Sequence, residues 1–368
     1  MNPMWRGPGT RARFSLVARA LFAIPGDLST LTGGYGYDRR VLGELPACGV
    51  AAIHLPLPGG FPFPDAAAVA ESLRLLSQAP ADAVLMVDGL ALGALPPDAL
   101  AQLAAPLVAL VHHPLGLESG LEPATARALI ENERAVLALA RHVIVTSETT
   151  RATLIADFAV AADRVSVAEP GTDPAPRFVG SGGANVEILA IGSLTPRKGH
   201  VVLIEALAGL AHLPWRLEII GSPDRDPACA AQVRAAIAAH GLRDRVTLSG
   251  EAPEATLGAA YLGADLFVLP SLYEGYGMVL GEAMARGLPI VTTTGGAAAQ
   301  TVPDAAALKV APGDAPALRA ALQSAIADAS LRARLGEASF RAGHGLPRWR
   351  DAAQVIAQVL HSNAGPAS

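Results

Sequence analysis

The stretch DLFVLPSLYEGYGMVLGEAMAR, Asp265 to Arg286, decides the fold. Leu266–Leu269 is a short apolar run that ends at Pro270. A loop holding Gly275 and Gly277 follows, and then a helical period from Val279 to Arg286. A strand that passes through a glycine loop into a helix is the building unit of a parallel α/β sheet. Such a loop turns free backbone N–H groups and the positive end of a helix dipole towards an anion. Gly275 and Gly277 let the backbone come close to a pyrophosphate. Glu274 precedes the helix and Glu282 lies about one turn inside it, so both can face one ligand. A carboxylate suits a vicinal diol because it accepts two hydrogen bonds at once. For two isolated glutamates, one cap and one surface charge would be the simpler reading.

The same alternation extends in both directions. Upstream, strands are expected at Arg19–Ile24, Val50–Leu55, Ala83–Val87, Leu107–Val111, His142–Thr146 and Val165–Ala168. Helical periods fall at Arg39–Leu45, Ala66–Ser77 and Pro123–Ala140. The connector PGTDPAPRFVGSGG, Pro170 to Gly183, offers little to a core and marks a domain boundary. The pattern restarts with strands at Glu187–Ile191, Arg216–Ile220, Arg245–Leu248, Leu266–Leu269 and Ile290–Thr293. Helices are expected at Val201–Leu210, Ala228–His240, Glu254–Leu262, Val279–Arg286 and Ala315–Asp328, with a last amphipathic one at Leu346–Leu360. Two α/β halves follow, with a cleft between them as the preferred ligand site. Transferases, dehydrogenases, epimerases and binding proteins all fit that outline.

Composition narrows the classes. The chain has 368 residues, 51% hydrophobic and 17% charged, enough for two buried cores. Cys48 and Cys229 are too few for a disulfide framework or a zinc site. A net charge of −5 and 4% aromatic residues weigh against nucleic acid as a partner. No run of 18 apolar residues lacks a charge, so no membrane span is expected. Arg6, Arg11, Arg13 and Arg19 crowd the start, and Arg19 interrupts what would be a leader's apolar stretch. A cytoplasmic protein is expected, with the arginines either a solvated arm or a weak peripheral contact at the inner membrane face. Lys198 and Lys309 are the only lysines among 28 Lys and Arg residues. A lysine kept in such a chain suits a role needing a compact point charge.

At this point the phrases add up to a resemblance. EGYGMVLGE (274–282) with AMARGLPIVTTTGGA (283–297) resembles family 4 of the retaining GT-B glycosyltransferases. AIGSLTPRKGHVVLIEALA (190–208), LEIIGSPDRD (217–226) and RVTLSGEAPEATLGAAYLGADLFVLPS (245–271) continue it in order. TGGYGYDRR (32–40), VALVHHPLGLE (108–118), HVIVTSETT (142–150) and VAEPGTD (167–173) occupy the places of that family's acceptor-side domain. The resemblance covers about residues 20 to 360, and its motifs are more specific in the second half.

It implies an α/β GT-B fold, two Rossmann-like domains facing each other across a cleft. The acceptor-side domain would span 1–178, the nucleotide-sugar domain 185–345, and a helix at 346–361, with Trp349, would cross back to the first. Glu274 would contact the donor sugar and Glu282 the donor ribose, with the backbone of Gly275, Tyr276, Gly277 and Met278 at the diphosphate. Lys198 would neutralise the departing diphosphate. Many relatives carry arginine where this chain has Ser193, and Arg197 is the alternative second cation. Gly33 and Gly34 would lie under the diphosphate, although a glycine pair alone is a simple turn. Ser249 to Ala252, with Gly250 and Glu251, would meet the base mainly through backbone.

His112 would sit beside the transferring sugar, at the end of the strand Leu107–Val111. Its expected part is hydrogen bonding and orientation; outside that context a His-His-Pro run is more often structural. Tyr35, Tyr37, Asp38 and His113 are acceptor-side candidates, and Asp88-Gly89 marks another strand end. Asp224-Arg225-Asp226 reads as a loop and not as a metal-binding DxD, because it lies in a Pro-rich segment without a third ligand nearby. The expectation is therefore a glycosyltransferase using a UDP- or GDP-type sugar donor and a hydroxyl acceptor. The resemblance implies retention, no metal and no cofactor. A nucleotide-sugar epimerase of the same architecture and a non-catalytic nucleotide-sugar-binding protein are the rivals.

Overall fold

The described residues form twelve short strands, and those buried throughout, such as Leu107–Val111 and Leu266–Leu269, can bury both faces only if helices cover each side of a parallel sheet. The computed structural model describes residues 18–364; Arg6, Arg11 and Arg13 lie outside these. The first half contains β1 (Ala18–Pro25), β2 (Val50–Leu57), β3 (Val84–Asp88), β4 (Leu107–Val111), β5 (His142–Val145) and β6 (Val165–Val167). Its helices are α1 (Gly33–Glu44), α2 (Ala66–Ser77), the one-turn α3 (Gly89–Leu92) and α4 (Pro97–Leu100), α5 (Pro123–Leu139) and α6 (Glu148–Asp157).

The second half contains β7 (Val186–Ile191), β8 (Trp215–Ile220), β9 (Val246–Gly250), β10 (Leu266–Leu269), β11 (Ile290–Thr293) and β12 (Ala307–Val310). With them come α7 (His200–Ala208), α8 (Pro227–Ala239), α9 (Glu254–Gly263), α10 (Met278–Arg286), the one-turn α11 (Ala298–Thr301), α12 (Ala315–Ala327), α13 (Ala329–His344) and α14 (Trp349–Asn363).

Both sheets are six-stranded and parallel throughout. The first runs β2-β1-β3-β4-β5-β6 and the second β12-β11-β10-β7-β8-β9. Each reverses its winding direction once, the first between β1 and β3, the second between β7 and β10. Loops leaving the C-terminal ends of those neighbouring strands diverge to opposite faces and leave a crevice. The two crevices supply every polar cluster described below.

Strands β7, β8 and β10 and helices α7, α8 and α12 share a core around Trp215, which is fully buried and donates its indole N–H to the Leu210 carbonyl at 2.8 Å. On the other face, Phe267, Leu280 and Met284 pack with Tyr261. One face of the first sheet is completed from the far end of the chain. Trp349, Ile356 and Leu360 of α14 join Phe22, Tyr37 and Val41 in a single cluster. Trp349 stacks edge-on to Tyr37 at 5.8 Å, and the Arg40 guanidinium lies 5.1 Å from its ring.

The connector is tied down along its length. Thr172 N donates to the Pro347 carbonyl, Phe178 N to Arg286 and Val179 N to Leu262. Gly171 lies so close to the backbone at Trp349 that a Cβ would collide with it.

Five elements depart from the pattern read in the sequence. Helix α1 starts at Gly33, not Arg39, because three glycines in its first turn hide a helix from any propensity argument. Strand β12 carries Lys309 in a four-residue run, too short for a period, and α6 and α13 are polar enough to be passed over. Helix α14 starts at Trp349, since Pro347 disfavours helical geometry at the residue before it.

Trp349→Ala should remove the contact that holds α14 on α1. A loss of about 3–5 kcal/mol is expected for a buried Trp→Ala change. Thermal unfolding followed by calorimetry should show the transition carrying the first sheet move to lower temperature, with the second sheet's transition largely unmoved.

Candidate active site

At the second sheet's reversal, β7 ends in Gly192 and the chain turns through Thr195 into the 3₁₀ turn Pro196–Lys198. Gly199 closes that turn with φ +67°, where a Cβ would meet the Pro270 carbonyl oxygen. The tight fit sets Lys198 against the loop leaving β10. Its Nζ donates to Glu274 Oε1 at 2.6 Å, and Ser271 Oγ donates to the same oxygen at 2.5 Å. Arg197 Nη1 donates to the Tyr273 carbonyl at 3.0 Å and lies 3.4 Å from Glu274 Oε2.

Behind the glutamate, Gly295 and Gly296 press on the backbone of Leu272 and Glu274, and Ala297 N donates to the Glu274 carbonyl at 2.8 Å. The Glu274 side chain is only 6% exposed. Burial alone would raise its pKa, but Lys198 and Arg197 overcome that and hold it at about 2. Burial in turn lowers the Lys198 ammonium from its ordinary value, with Glu274 opposing the shift.

At the first sheet's reversal, β1 leads to α1 and β3 ends at Asp88. Next to β3, β4 ends one residue before His112. His112 Nε2 lies 3.1 Å from Asp38 Oδ1 and 3.5 Å from Asp88 Oδ2. Tyr37 meets the ring edge-on at 5.1 Å. Burial would lower the His112 pKa, but Asp38 and Asp88 lift it to about 10. Burial and the neighbouring Asp88 raise Asp38 to about 8, while His112 and the Asp38 hydrogen bond overcome burial and lower Asp88.

Asp38, Asp88 and His112 are also the trio among the described residues whose ligand-type atoms lie mutually within 4.8 Å. The His112–Asp38 hydrogen bond accounts for their approach without an ion. Asp226 caps α8 by accepting from Cys229 N at 2.9 Å, which gives that carboxylate a structural part.

The two crevices face one another. A Cβ at Gly275 would collide with the His112 carbonyl oxygen. Gly33 and Gly36 open onto Met278 at 3.9 Å, and Gly34 onto His112 at 3.6 Å. The first turns of α1 and α10 therefore converge. Neither N-terminus has a side-chain cap or an acidic residue in its first turn. Glu118, from the loop after β4, crosses the gap to accept from Arg197 Nε at 3.1 Å. Thr149 Oγ1 also crosses it, donating to Gln300 Oε1 at 3.1 Å.

Of the residues expected from sequence, Lys198, Arg197 and Glu274 form one cluster. His112 and Asp38 form another, and Gly33, Gly34, Gly275, Gly277 and Met278 lie between them. His113 borders the first cluster, 4.7 Å from the Tyr273 ring, and burial and Arg197 push its pKa to about 3, so it is neutral. Tyr276 is buried, its carbonyl accepting from Thr301 Oγ1 at 2.7 Å.

Tyr37 is a core residue whose hydroxyl donates to the Ala168 carbonyl at 2.8 Å, so it presents no group to an acceptor. The Tyr35 hydroxyl donates to Pro25 at 2.7 Å. Glu282 accepts from the Tyr261 hydroxyl at 2.8 Å, and burial raises its pKa. Gly250 ends β9, its carbonyl accepting from Gly221 N, and Glu251 is exposed beside it.

Sequence reasoning assigned nothing to Ser271, Glu118, Gly295 or Gly296. The glycine pair after β11 was a signal available to it. Another such residue is Glu133 of α5, buried under the loop after β4, where it accepts from Leu115 N at 2.8 Å and Gly116 N at 3.1 Å. Burial raises its pKa to about 7.

Comparison with known proteins agrees with this geometry. Residues 176–342 match the family described as Glycosyl transferases group 1, and residues 33–176 match Glycosyltransferase Family 4. The chain is 29% identical over 280 residues to the MMP alpha-(1->4)-mannosyltransferase of Mycolicibacterium hassiacum, covering 70% of this chain and 66% of that one. It is 31% identical over 184 residues to mannosylfructose-phosphate synthase of Agrobacterium fabrum, covering 45% and 40% respectively. The matches therefore span less than two thirds of these relatives' lengths. Among solved structures, the sucrose-phosphate synthase of Thermosynechococcus elongatus superposes with a TM-score of 0.79 at 21% identity, covering 94% of this chain and 99% of that one. Anabaena HepE in complex with UDP-glucose gives 0.75 at 18% identity, covering 93% and 99%. The shared fold is GT-B.

The Glu274 pair carries a pH signature. A carboxylate lowered from 4.5 to about 2 adds stability that is complete above pH 4.5 and lost as pH falls towards 2. The size is on the order of 3 kcal/mol. Stability-versus-pH curves for the wild type and Glu274→Gln should therefore differ in shape between pH 4.5 and 2 and run parallel above it. Parallel curves throughout would show that Glu274 titrates normally.

Proposed function

The chain belongs to the family 4 glycosyltransferases of the GT-B fold, and on that footing we propose that it transfers a sugar from a UDP- or GDP-type donor to a hydroxyl acceptor, with retention at the anomeric carbon and without a metal. The observation that carries this reading is the Lys198–Glu274 pair. It lies at the reversal of the second sheet, beside two uncapped helix N-termini that converge from opposite domains. Fixed cations and helix dipoles suit a diphosphate, and a fixed carboxylate suits sugar hydroxyls. HepE, which shares the fold, is described with UDP-glucose bound.

In this scheme the anomeric carbon–oxygen bond to the diphosphate breaks as the acceptor oxygen bonds to the same face of that carbon. The acceptor proton passes to the departing phosphate oxygen. Lys198 and Arg197, with the α10 N-terminus, stabilise the charge that grows on the diphosphate, which is the work a metal does elsewhere. Glu274 holds the sugar's hydroxyls and Glu282 the ribose diol. His112 bonds to the sugar near the reacting centre, and Gly33 and Gly34 give the diphosphate room under α1. Gly250 and Glu251 border the base.

Arg197 must change partners as the donor arrives. Its Glu118 contact is the one to give way, because the Glu118 side chain is 40% exposed whereas that of Glu274 is 6%. The acceptor enters along the loops of the first sheet, past Tyr35 and His113, with the wholly buried Asp38 behind His112. Domain closure excludes water from the reacting centre.

A donor panel tests the reading. UDP-, GDP- and ADP-sugars should be assayed by thermal shift and by slow nucleotide release, all in EDTA. One donor should stabilise the protein and release its nucleotide. Lys198→Ala and Glu274→Ala should lower that release by about 10²–10³-fold, the usual scale for losing one transition-state contact. A folded sample that no nucleotide sugar stabilises would sink the proposal. Binding without release, with any hydroxyl acceptor, would favour a non-catalytic binder.

A further inference from the structure

The trio at the first sheet's reversal includes two carboxylates that the transfer scheme above does not use. Asp38 is wholly buried and Asp88 nearly so. Asp38 Oδ2 has no hydrogen-bond partner among the described residues while Oδ1 faces His112 Nε2. Two buried carboxyls within 3.5 Å of one ring nitrogen are both placed to accept from Nε2–H, and buried negative groups beside an imidazole favour its charged form. Nδ1 is left without a partner among the described residues, and the side chain is 23% exposed.

We propose that Asp38, backed by Asp88, is a positioning residue that keeps His112 protonated on both ring nitrogens through neutral pH. His112 then meets the donor as a cation and hydrogen-bond donor, never as a base. This rests on the transferase reading of the cleft and assigns His112 its charge state there.

The groups that face His112 support the assignment. From α1 come Asp38 and the edge of Tyr37; from β3 comes Asp88; Thr146, after β5, donates to the His112 carbonyl at 3.4 Å; and Gly275 closes over that carbonyl from the second domain. The nearest other titratable neighbour in sequence, His113, is neutral. Among the described residues, Asp38 and Asp88 are therefore the ionisable side chains that bear on the ring's charge.

The assignment also limits the chemistry. An imidazolium cannot take the acceptor's proton, so that proton must leave on the diphosphate. It can donate to a sugar hydroxyl or to a phosphate oxygen, and either contact strengthens as negative charge builds on the leaving group.

The test reads the ring directly. Long-range ¹H–¹⁵N spectra of the full chain, with the His112 signals identified by their loss in His112→Gln, should show imidazolium nitrogen shifts from pH 6 to 9. Asp38→Asn should bring the transition to neutral imidazole down by at least one pH unit. In turnover assays with the active donor, the ratio of Asp38→Asn kcat to wild-type kcat should fall at least tenfold between pH 6 and pH 9, with KM for the donor little changed.

A wild-type His112 titrating between pH 6 and 7 overturns the proposal, and this measurement does not depend on the variant folding. An Asp38→Asn titration identical to wild type also overturns it. So does displacement of the His112 signals by stoichiometric Zn²⁺ or Mn²⁺, which would give the trio to a cation. The spectra need no turnover, so failure to find a donor would defeat the transferase reading while leaving the ring's charge measured.

Discussion

A parallel sheet that changes winding direction must leave a gap at the change, and this protein is organised around two such gaps set face to face. In the second sheet, β7 and β10 are adjacent in space although nearly 80 residues separate them in sequence. Their following loops run to opposite sides, bringing Lys198 and Glu274 to 2.6 Å. In the first sheet, β1 and β3 flank the change, so Asp38 of α1 and Asp88 meet beside His112. No local sequence signal requires either meeting. Strand order produces both.

Burying charge in these gaps is expensive unless each charge has a partner, and the partners found here are unequal in exposure. Glu274 is enclosed by Lys198, Arg197, Ser271 and the Gly295–Gly296 backbone. It is a fixed carboxylate that cannot leave without abandoning two cations. Glu118 is two-fifths exposed and lies across the domain gap. Its bond to Arg197 is therefore the weaker one, in the range of exposed pairs, about 0–1 kcal/mol. Arg197 is thus held firmly to its own domain and loosely to the other. Ser193 is compatible with this arrangement because the guanidinium reaches Glu274 from four residues further along the same loop.

The sequence made the second sheet's site legible, because one continuous phrase holds the strand, the glycine loop, both glutamates and the helix. Lys198 was legible through the resemblance of its phrase TPRKGH, since the rarity of lysine pointed equally to Lys309, which pairs with Asp304 at 2.6 Å. The first sheet's site was harder to read. Asp38 could be named only as a neighbour of Gly33 and Gly34, since its partners lie on two other strands. Tyr37 looked like an acceptor contact because it borders the same loop, yet a helix running from Gly33 turns it inwards to Ala168. Glu133 gave no signal at all. It sits in an ordinary charged helix, and only the tertiary fold shows it holding two backbone N–H groups of the loop that carries His112.

Helix α1 links the far end of the chain to this chemistry. Its first turn is GGYG, and each glycine costs about 1 kcal/mol relative to alanine, so the segment would not stay helical by itself. A Cβ at any of the three would already be in ordinary van der Waals contact with Met278 or His112, so this weak helical turn lies where the two domains approach. Something else must then hold α1 in place. Tyr37 does so through Ala168 and through Trp349, and Trp349 belongs to a helix that returns after the whole second domain. Asp38 follows Tyr37 directly, so the position of the carboxyl against His112 depends on packing by the last helix. The first domain's half of the site is therefore complete only when the chain has crossed the cleft and come back.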